Sequence, residues 1–249
     1  MKTNKKLTKK LIVAIFIIIL LLGATYHFGP KAFQLYILSR NISKKLTPNS
    51  YLTPTYRVIS PTNLNHLKSV NISTAIFKLK VPWTIKRKFS TDEETIFIFH
   101  EKKLLTIRNK LRKGKIIDEI LTDNPDDAKN IKELIGEEHF HSDFTFIRLC
   151  LNTTPDQASL FMSNMMLGRI STILIMRAIY EPLGANIFEF NLYNGLKGFQ
   201  FGEFGEKKMV TIHLFDNNRQ LSEFQFMSAT QTEIDFVLSS IEIRAGVTH

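Results

Sequence analysis

The residues best equipped for chemistry gather in Glu137-Glu138-His139-Phe140-His141-Ser142-Asp143. Successive side chains of a strand point to opposite faces, so an extended segment would put Glu137, His139, His141 and Asp143 on one side. Two imidazoles and a carboxylate could then hold Zn²⁺ and support a metal-dependent hydrolysis. No distant His or Cys stands at a known ligand spacing, and a solvated turn leading into a strand is the competing reading. No cofactor is therefore expected, and His139, His141 and Asp143 are the metal candidates to locate.

Other reactive residues point away from catalysis. Cys150 is the single cysteine and sits in the apolar run IRLCL. A nucleophile would need a lowered pKa and a neighbouring histidine. The surroundings instead predict a small buried hydrophobe. Gly195, Gly198, Gly202 and Gly205 lack the GxGxxG spacing and fall between strands, where they serve turns and close packing. GxSxG, HExxH and SxxK are absent. No catalytic residue is assigned.

Charge suggests a binding surface. Residues 1–115 hold 23 Lys and Arg against 4 Asp and Glu, and residues 116–249 hold 10 against 19. The densest basic stretch is Lys102, Lys103, Arg108, Lys110, Arg112, Lys113 and Lys115. Such a field could attract an acidic protein partner or an anionic lipid surface. Alternatively the two halves interleave in space and cancel. Trp83, beside Pro82 and near Lys86-Arg87-Lys88, could form an aromatic–basic binding tip, a membrane-interface contact or a packing residue. Nucleic acid is not an expected partner of an exported domain.

Export follows from the N-terminus. Leu11–Phe28 passes eighteen residues without a charge, after ten residues with five lysines. That length crosses most of a bilayer core, and only a helix satisfies its backbone there. Gly29-Pro30 is expected to interrupt it. A small-x-small cleavage site is poorly matched near its end, and no cysteine there would permit lipoprotein processing. The lysine bias places the N-terminus inside. The expectation is a bacterial inner-membrane, single-pass protein: a cytoplasmic tail (1–10), a transmembrane anchor (11–28), a juxtamembrane helix and linker (29–55), and one periplasmic domain (56–249). One cysteine allows no intrachain disulfide, so packing alone must hold that domain.

The elements that would position these groups read as α+β. Thr74–Val81, Thr95–Phe99 and Lys103–Ile107 have strand patterning. Asn124-Pro125-Asp126-Asp127 starts a helix that Gly136 closes. Phe140–Leu151 alternates and reads as a strand. Thr154-Pro155-Asp156-Gln157 is a capping box, followed by a helix reaching Tyr180 that Gly168 could break. Its second half is apolar nearly all round and should be deeply buried. NIFEFNLY-NG-LKGFQFGE is a hairpin with a type I′ turn signal, and KKMVTIHLFD-NN-RQLSEFQFMS is a second. Thr230–Glu233 caps a last helix that buries Ile234, Val237, Leu238 and Ile241. An antiparallel sheet of about seven strands flanked by two or three helices results.

The segments FKLKVPW, LKGFQFGEFG and EIDFVLSSIEI, in this order of elements over residues 70–243, resemble the Mog1/PsbP-like α-β-α sandwich in its single-pass, membrane-anchored bacterial form. The resemblance implies a binding role, Ran binding in the one namesake and photosystem support in the other; none of their functional residues is matched here. The expected function is a binding module tethered to the lipid bilayer by its anchor. A metal-dependent periplasmic hydrolase using His139 and His141, and a basic-faced membrane-surface sensor, are the alternatives.

Overall fold

A computed structural model describes residues 28–33, 36, 52–59, 69–109, 125–159, 161–180, 186–216 and 220–244. The fold is mixed α+β. Eleven strands are seen among these residues: β1 (Thr55–Val58), β2 (Val70–Ser73), β3 (Phe77–Val81), β4 (Ile85–Ser90), β5 (Glu94–Phe99), β6 (Leu104–Asn109), β7 (Ile187–Asn191), β8 (Lys197–Gly202), β9 (Met209–Phe215), β10 (Gln220–Met227) and β11 (Glu242–Ile243). Between β6 and β7 come α1 (Pro125–Ile135), α2 (Asp143–Asn152) and α3 (Asn164–Tyr180), and α4 (Gln231–Ser239) precedes β11.

Eight strands form one sheet in the order β1-β7-β8-β9-β10-β6-β5-β4, and β11-β3-β2 form a second. All pairs are antiparallel except β1 with β7. One face of the large sheet packs Phe97, Phe99, Leu105, Ile107, Ile212, Leu214, Phe224 and Phe226 against β3 and against Ile234, Val237, Leu238 and Ile241. On the opposite face, Ile187, Phe199, Phe201 and Phe215 of β7–β9 meet Phe144, Ile147, Cys150, Leu151, Ile173 and Met176 of α2 and α3. The aromatic side chains interlock: Phe144 stacks on Phe199 at 4.8 Å and meets Phe215 edge-on at 5.6 Å.

The strand expected over Phe140–Leu151 is instead a short 3₁₀ turn (Glu137–Phe140) followed by α2. The same residues satisfy a helical period as well as an alternating one: Phe144, Ile147, Cys150 and Leu151 fall on one buried side. The Ser142 Oγ accepts a hydrogen bond from the Thr145 N–H at 3.1 Å, and this N-cap decides for the helix. The capping box at Thr154–Gln157 starts only a 3₁₀ turn, Pro155–Gln157. Helix α3 begins later, at Asn164, and runs unbroken through Gly168. The Asn-Gly hairpin turn also differs. Asn194 has no positive φ, whereas Gly195 has φ 83°, and Gly195 N–H donates to Leu192 O at 3.1 Å. That is a type I turn ending in a left-handed glycine, the three-residue hairpin solution, rather than type I′.

Residues 28–33 are helical, Gly29 and Pro30 included, so the break expected there is absent from the described backbone. The rest of the apolar run lies outside the described residues. Among those described, no helix is long and apolar enough to cross a membrane.

Candidate functional site

Helices α1–α3 cover the β7–β9 part of their face of the large sheet and reach β10 at its first residue, Gln220. Over the rest of β10 and over β6, β5 and β4 that face carries no described layer, and strand register sorts its side chains into three rows. The first runs Met209–Met227–Leu104–Ile98–Arg87 across β9, β10, β6, β5 and β4. The second is Thr211–Gln225–Thr106–Ile96–Phe89. The third is His213–Glu223–Arg108–Glu94.

In the first two rows the solvent-reached side chains are mostly apolar, apart from Gln225 and the terminal Arg87. Phe89 is 52% exposed, Met209 49% and Met227 39%, with Ile96, Ile98 and Leu104 half-buried between them. Clustered exposed hydrophobes of this kind mark interaction surfaces, whereas scattered single ones need no explanation. The third row is charged and internally satisfied. Arg108 Nε donates to Glu94 Oε2 and its Nη1 to Glu223 Oε1, both at 3.1 Å. The hydrogen bond from Arg108 to Glu94, with the charge of Glu223 beside it, raises the guanidinium above its ordinary value. Gln225 Nε2 donates to Glu223 Oε1 at 2.8 Å, so this row is a rigid polar border to the apolar strip.

The basic stretch singled out from the sequence divides. Lys110, Arg112, Lys113 and Lys115 lie outside the described residues. Lys102 is exposed in the β5–β6 turn with φ 57°. Lys103 and Arg108 are instead occupied within the fold. Lys103 Nζ donates to Glu233 Oε1 and Oε2 at 2.8 and 2.6 Å and lies 5.4 Å from the Trp83 ring centroid. Together with Arg57–Asp235 at 2.7 Å and Arg108–Glu223, this pair joins the basic half of the sequence to the acidic half. At these sites the two halves interleave and cancel.

Trp83 is 2% exposed, its indole N–H donates to Glu233 Oε1 at 2.9 Å, and its ring lies 5.0 Å from Phe99. It packs the core and forms no binding tip. Burial pushes the Glu233 carboxyl up. Hydrogen bonds from Lys103 first, then from the Thr230 N–H and from Trp83, outweigh burial and leave it below its ordinary value.

The His139–Asp143 candidates are not brought together. His139 sits in the 3₁₀ turn with Nε2 3.2 Å from Arg169 Nη2, and His141 is exposed at the end of that turn. Asp143 is 2% exposed in the first turn of α2, where its Oδ2 accepts from the Gln220 N–H at 3.2 Å. Among the described residues no three His, Cys, Asp or Glu are placed to hold a metal. The helical backbone is the reason: it separates side chains that a strand would align. Cys150 is fully buried, and desolvation pushes its thiol up to about 12 despite the nearby Arg177 charge, which removes it as a nucleophile.

Two polar clusters escaped the sequence reading. Arg177 is fully buried, with Nη1 donating to Leu151 O at 2.8 Å and Thr153 O at 2.9 Å, and Nη2 to Leu52 O at 3.0 Å. It closes the C-terminal end of α2 and ties the chain before β1 to the helical layer. Arg57 of β1 chelates Asp235 of α4 at 2.7 and 2.9 Å and also donates to Gln200 Oε1 of β8. A groove of about 250 Å³ on the outer side of the small sheet is lined by Asn71, Ser73, Lys78, Lys80, Ser240 and Glu242. It brings no nucleophile up to a base. Neither cluster nor groove assembles a reaction centre; the open sheet face is the candidate site.

No protein-family model, no curated protein and no solved structure matches the chain.

Proposed function

We propose that this chain is a membrane-tethered binding module whose globular domain receives a protein partner on the open face of β10-β6-β5-β4. The observation that carries this reading is the row of exposed and half-buried apolar side chains from Met209 to Ile98, with Phe89 beside it and a satisfied charged row as border. The uncharged run Leu11–Phe28 after five lysines supports the tether, with the N-terminus in the bacterial cytoplasm and the domain in the periplasm. Tethering raises the local concentration of a partner in the same envelope, so a modest apolar interface suffices. Arg87 ends the apolar row and favours a partner whose apolar ridge is flanked by an acidic group. The resemblance of FKLKVPW, LKGFQFGEFG and EIDFVLSSIEI to the Mog1/PsbP-like sandwich would imply a binding role of the same kind.

A photo-crosslinking residue at Phe89 or Met227, in cells, tests the reading. Discrete adducts are expected at both positions, none from a probe at exposed Asp156, and loss of the adducts on adding Met209→Glu. Folded, membrane-associated protein that yields no adduct from either position overturns it.

A further inference from the structure

The chain carries a second exposed apolar surface, on the helical layer. Phe161, three residues before α3, is 88% exposed, and Met165, Met166 and Ile175 of α3 are 66%, 43% and 63% exposed. At 100° per residue, Ile175 lies opposite the buried arc of Leu167, Ile170, Ile173, Leu174 and Arg177, and Met165 lies at the edge of that arc, beside buried Met176. In the second half of the helix, expected to be deeply buried, Ile175 is exposed, and the outward side of α3 carries Met165 and Ile175 together with half-buried Gly168, Ser171 and Thr172. Burial of that side would normally be supplied by another element of the fold, and none of the described elements covers it.

A ring contact says where this surface lies. Phe28, the last residue of the uncharged run, meets Phe161 edge-on with centroids 6.0 Å apart and planes at 77°. The point where the apolar run enters the domain is thus in contact with the apolar tip before α3. The seventeen residues of α3 include two arginines and no acid, so no carboxylate of this helix opposes an anionic headgroup layer.

We infer that Phe161 and the exposed side of α3 rest in the interfacial layer of the same bilayer that holds residues 11–28. The inference depends on the tether reading above and adds an orientation to it. With the anchor and the α3 side both in contact with lipid, the domain is held at two places rather than swinging on a linker. Interfacial immersion of exposed apolar side chains is a known mode of membrane contact.

The test uses the full chain in vesicles of phosphatidylethanolamine and phosphatidylglycerol. Met165→Cys, Ile175→Cys and, as a control on the β4–β5 turn, Asp92→Cys are each labelled with an environment-sensitive fluorophore. All three positions are exposed, and native Cys150 is fully buried, so labelling goes to the introduced thiol. Blue-shifted emission and strong quenching by lipids with a shallow nitroxide are expected at 165 and 175, with neither at 92. Vesicle-bound protein whose 165 and 175 probes are quenched no more than the probe at 92 overturns the inference and leaves the tether standing. A blue shift without lipid quenching also overturns it, because a protein surface, a second copy or a partner, then covers the patch. Protein that washes off the vesicles removes the tether and this inference together.

Discussion

Lys103 Nζ stands 2.6 Å from Glu233 Oε2, so a lysine just before β6 grips the residue that caps α4. Glu233 at the same time accepts from the Thr230 N–H at 2.8 Å and from the Trp83 indole at 2.9 Å. A capping box has become the meeting point of a helix, a strand turn and a core aromatic. Both side chains are mostly shielded, at 15% and 19% exposure, so the pair is less screened than a surface ion pair.

This makes Glu233 a source of acid sensitivity. Its carboxyl is held below the ordinary 4.5, so the stability it contributes is complete above that value and is lost as pH falls through the lower folded-state value. Glu233→Gln should cost about 1–3 kcal/mol at pH 7. It should also flatten the acid limb of a pH series of urea unfolding curves. An unchanged acid limb would show that Glu233 does not control it.

Gly198 is fixed by contact rather than by backbone angle. A Cβ built there would lie 2.4 Å from His213 O and 2.6 Å from Phe190 Cζ. Gly198→Ala should destabilise the β7–β8–β9 sheet by about 1–3 kcal/mol through overpacking. Gly195→Ala meets open space but must hold φ 83°, and should cost about 1 kcal/mol from left-handed strain alone. Chemical denaturation of the two variants separates the causes, since Gly195→Asn should recover most of its loss whereas Gly198→Ser should not.

Arg177→Leu removes a buried guanidinium from the Leu151, Thr153 and Leu52 carbonyls. Each buried acceptor left without a donor costs about 1–3 kcal/mol, so the substitution should cost several kcal/mol and lower the yield of folded protein. Arg177→Lys keeps the charge but loses the fork that reaches separate carbonyls, and should fall between. A Leu variant as stable as the wild type in thermal unfolding would refute the structural role.

Cys150 should report global opening. With its thiol at about 12, reaction with a disulfide reagent at pH 8 is expected only after denaturant exposes it, with a midpoint matching that of circular dichroism. Rapid labelling of the native protein would contradict the packing of α2 on the sheet.

Phe89→Glu and Met227→Glu alter exposed positions, so each should shift stability by only about 0.5 kcal/mol. A larger loss in denaturant unfolding would mean that the apolar strip is covered within the chain itself and is no binding face.

Local patterning made most elements legible. Strand alternation marked β3, β5 and β6, turn residues marked the two hairpins, and Thr230 with Glu233 announced α4 at both cap positions. The same kind of reading failed over Phe140–Leu151, because a run this rich in apolar residues satisfies both periods, and the decision lay with a single Ser142 cap. β1 left no local mark of its parallel partner: it pairs with β7 some 130 residues away, and no hairpin turn links them. Arg177 gave no sign either. A guanidinium at the end of an apolar helix looks like a solvated terminus until three carbonyls from two other segments converge on it.

Sequence by itself determined what spacing and hydropathy can encode: an uncharged N-terminal run, an α+β domain without cross-links, the caps and the hairpins. These depend on residues within a few positions of one another. Tertiary structure alone decided which side chains meet. It separated His139, His141 and Asp143, committed Lys103 and Arg108 to carboxylates of the opposite half, and, among the described elements, left half a sheet face and Met165 and Ile175 of α3 uncovered. The reason is physical: a contact between distant residues is set by how whole layers pack, and no short stretch of chain contains that information.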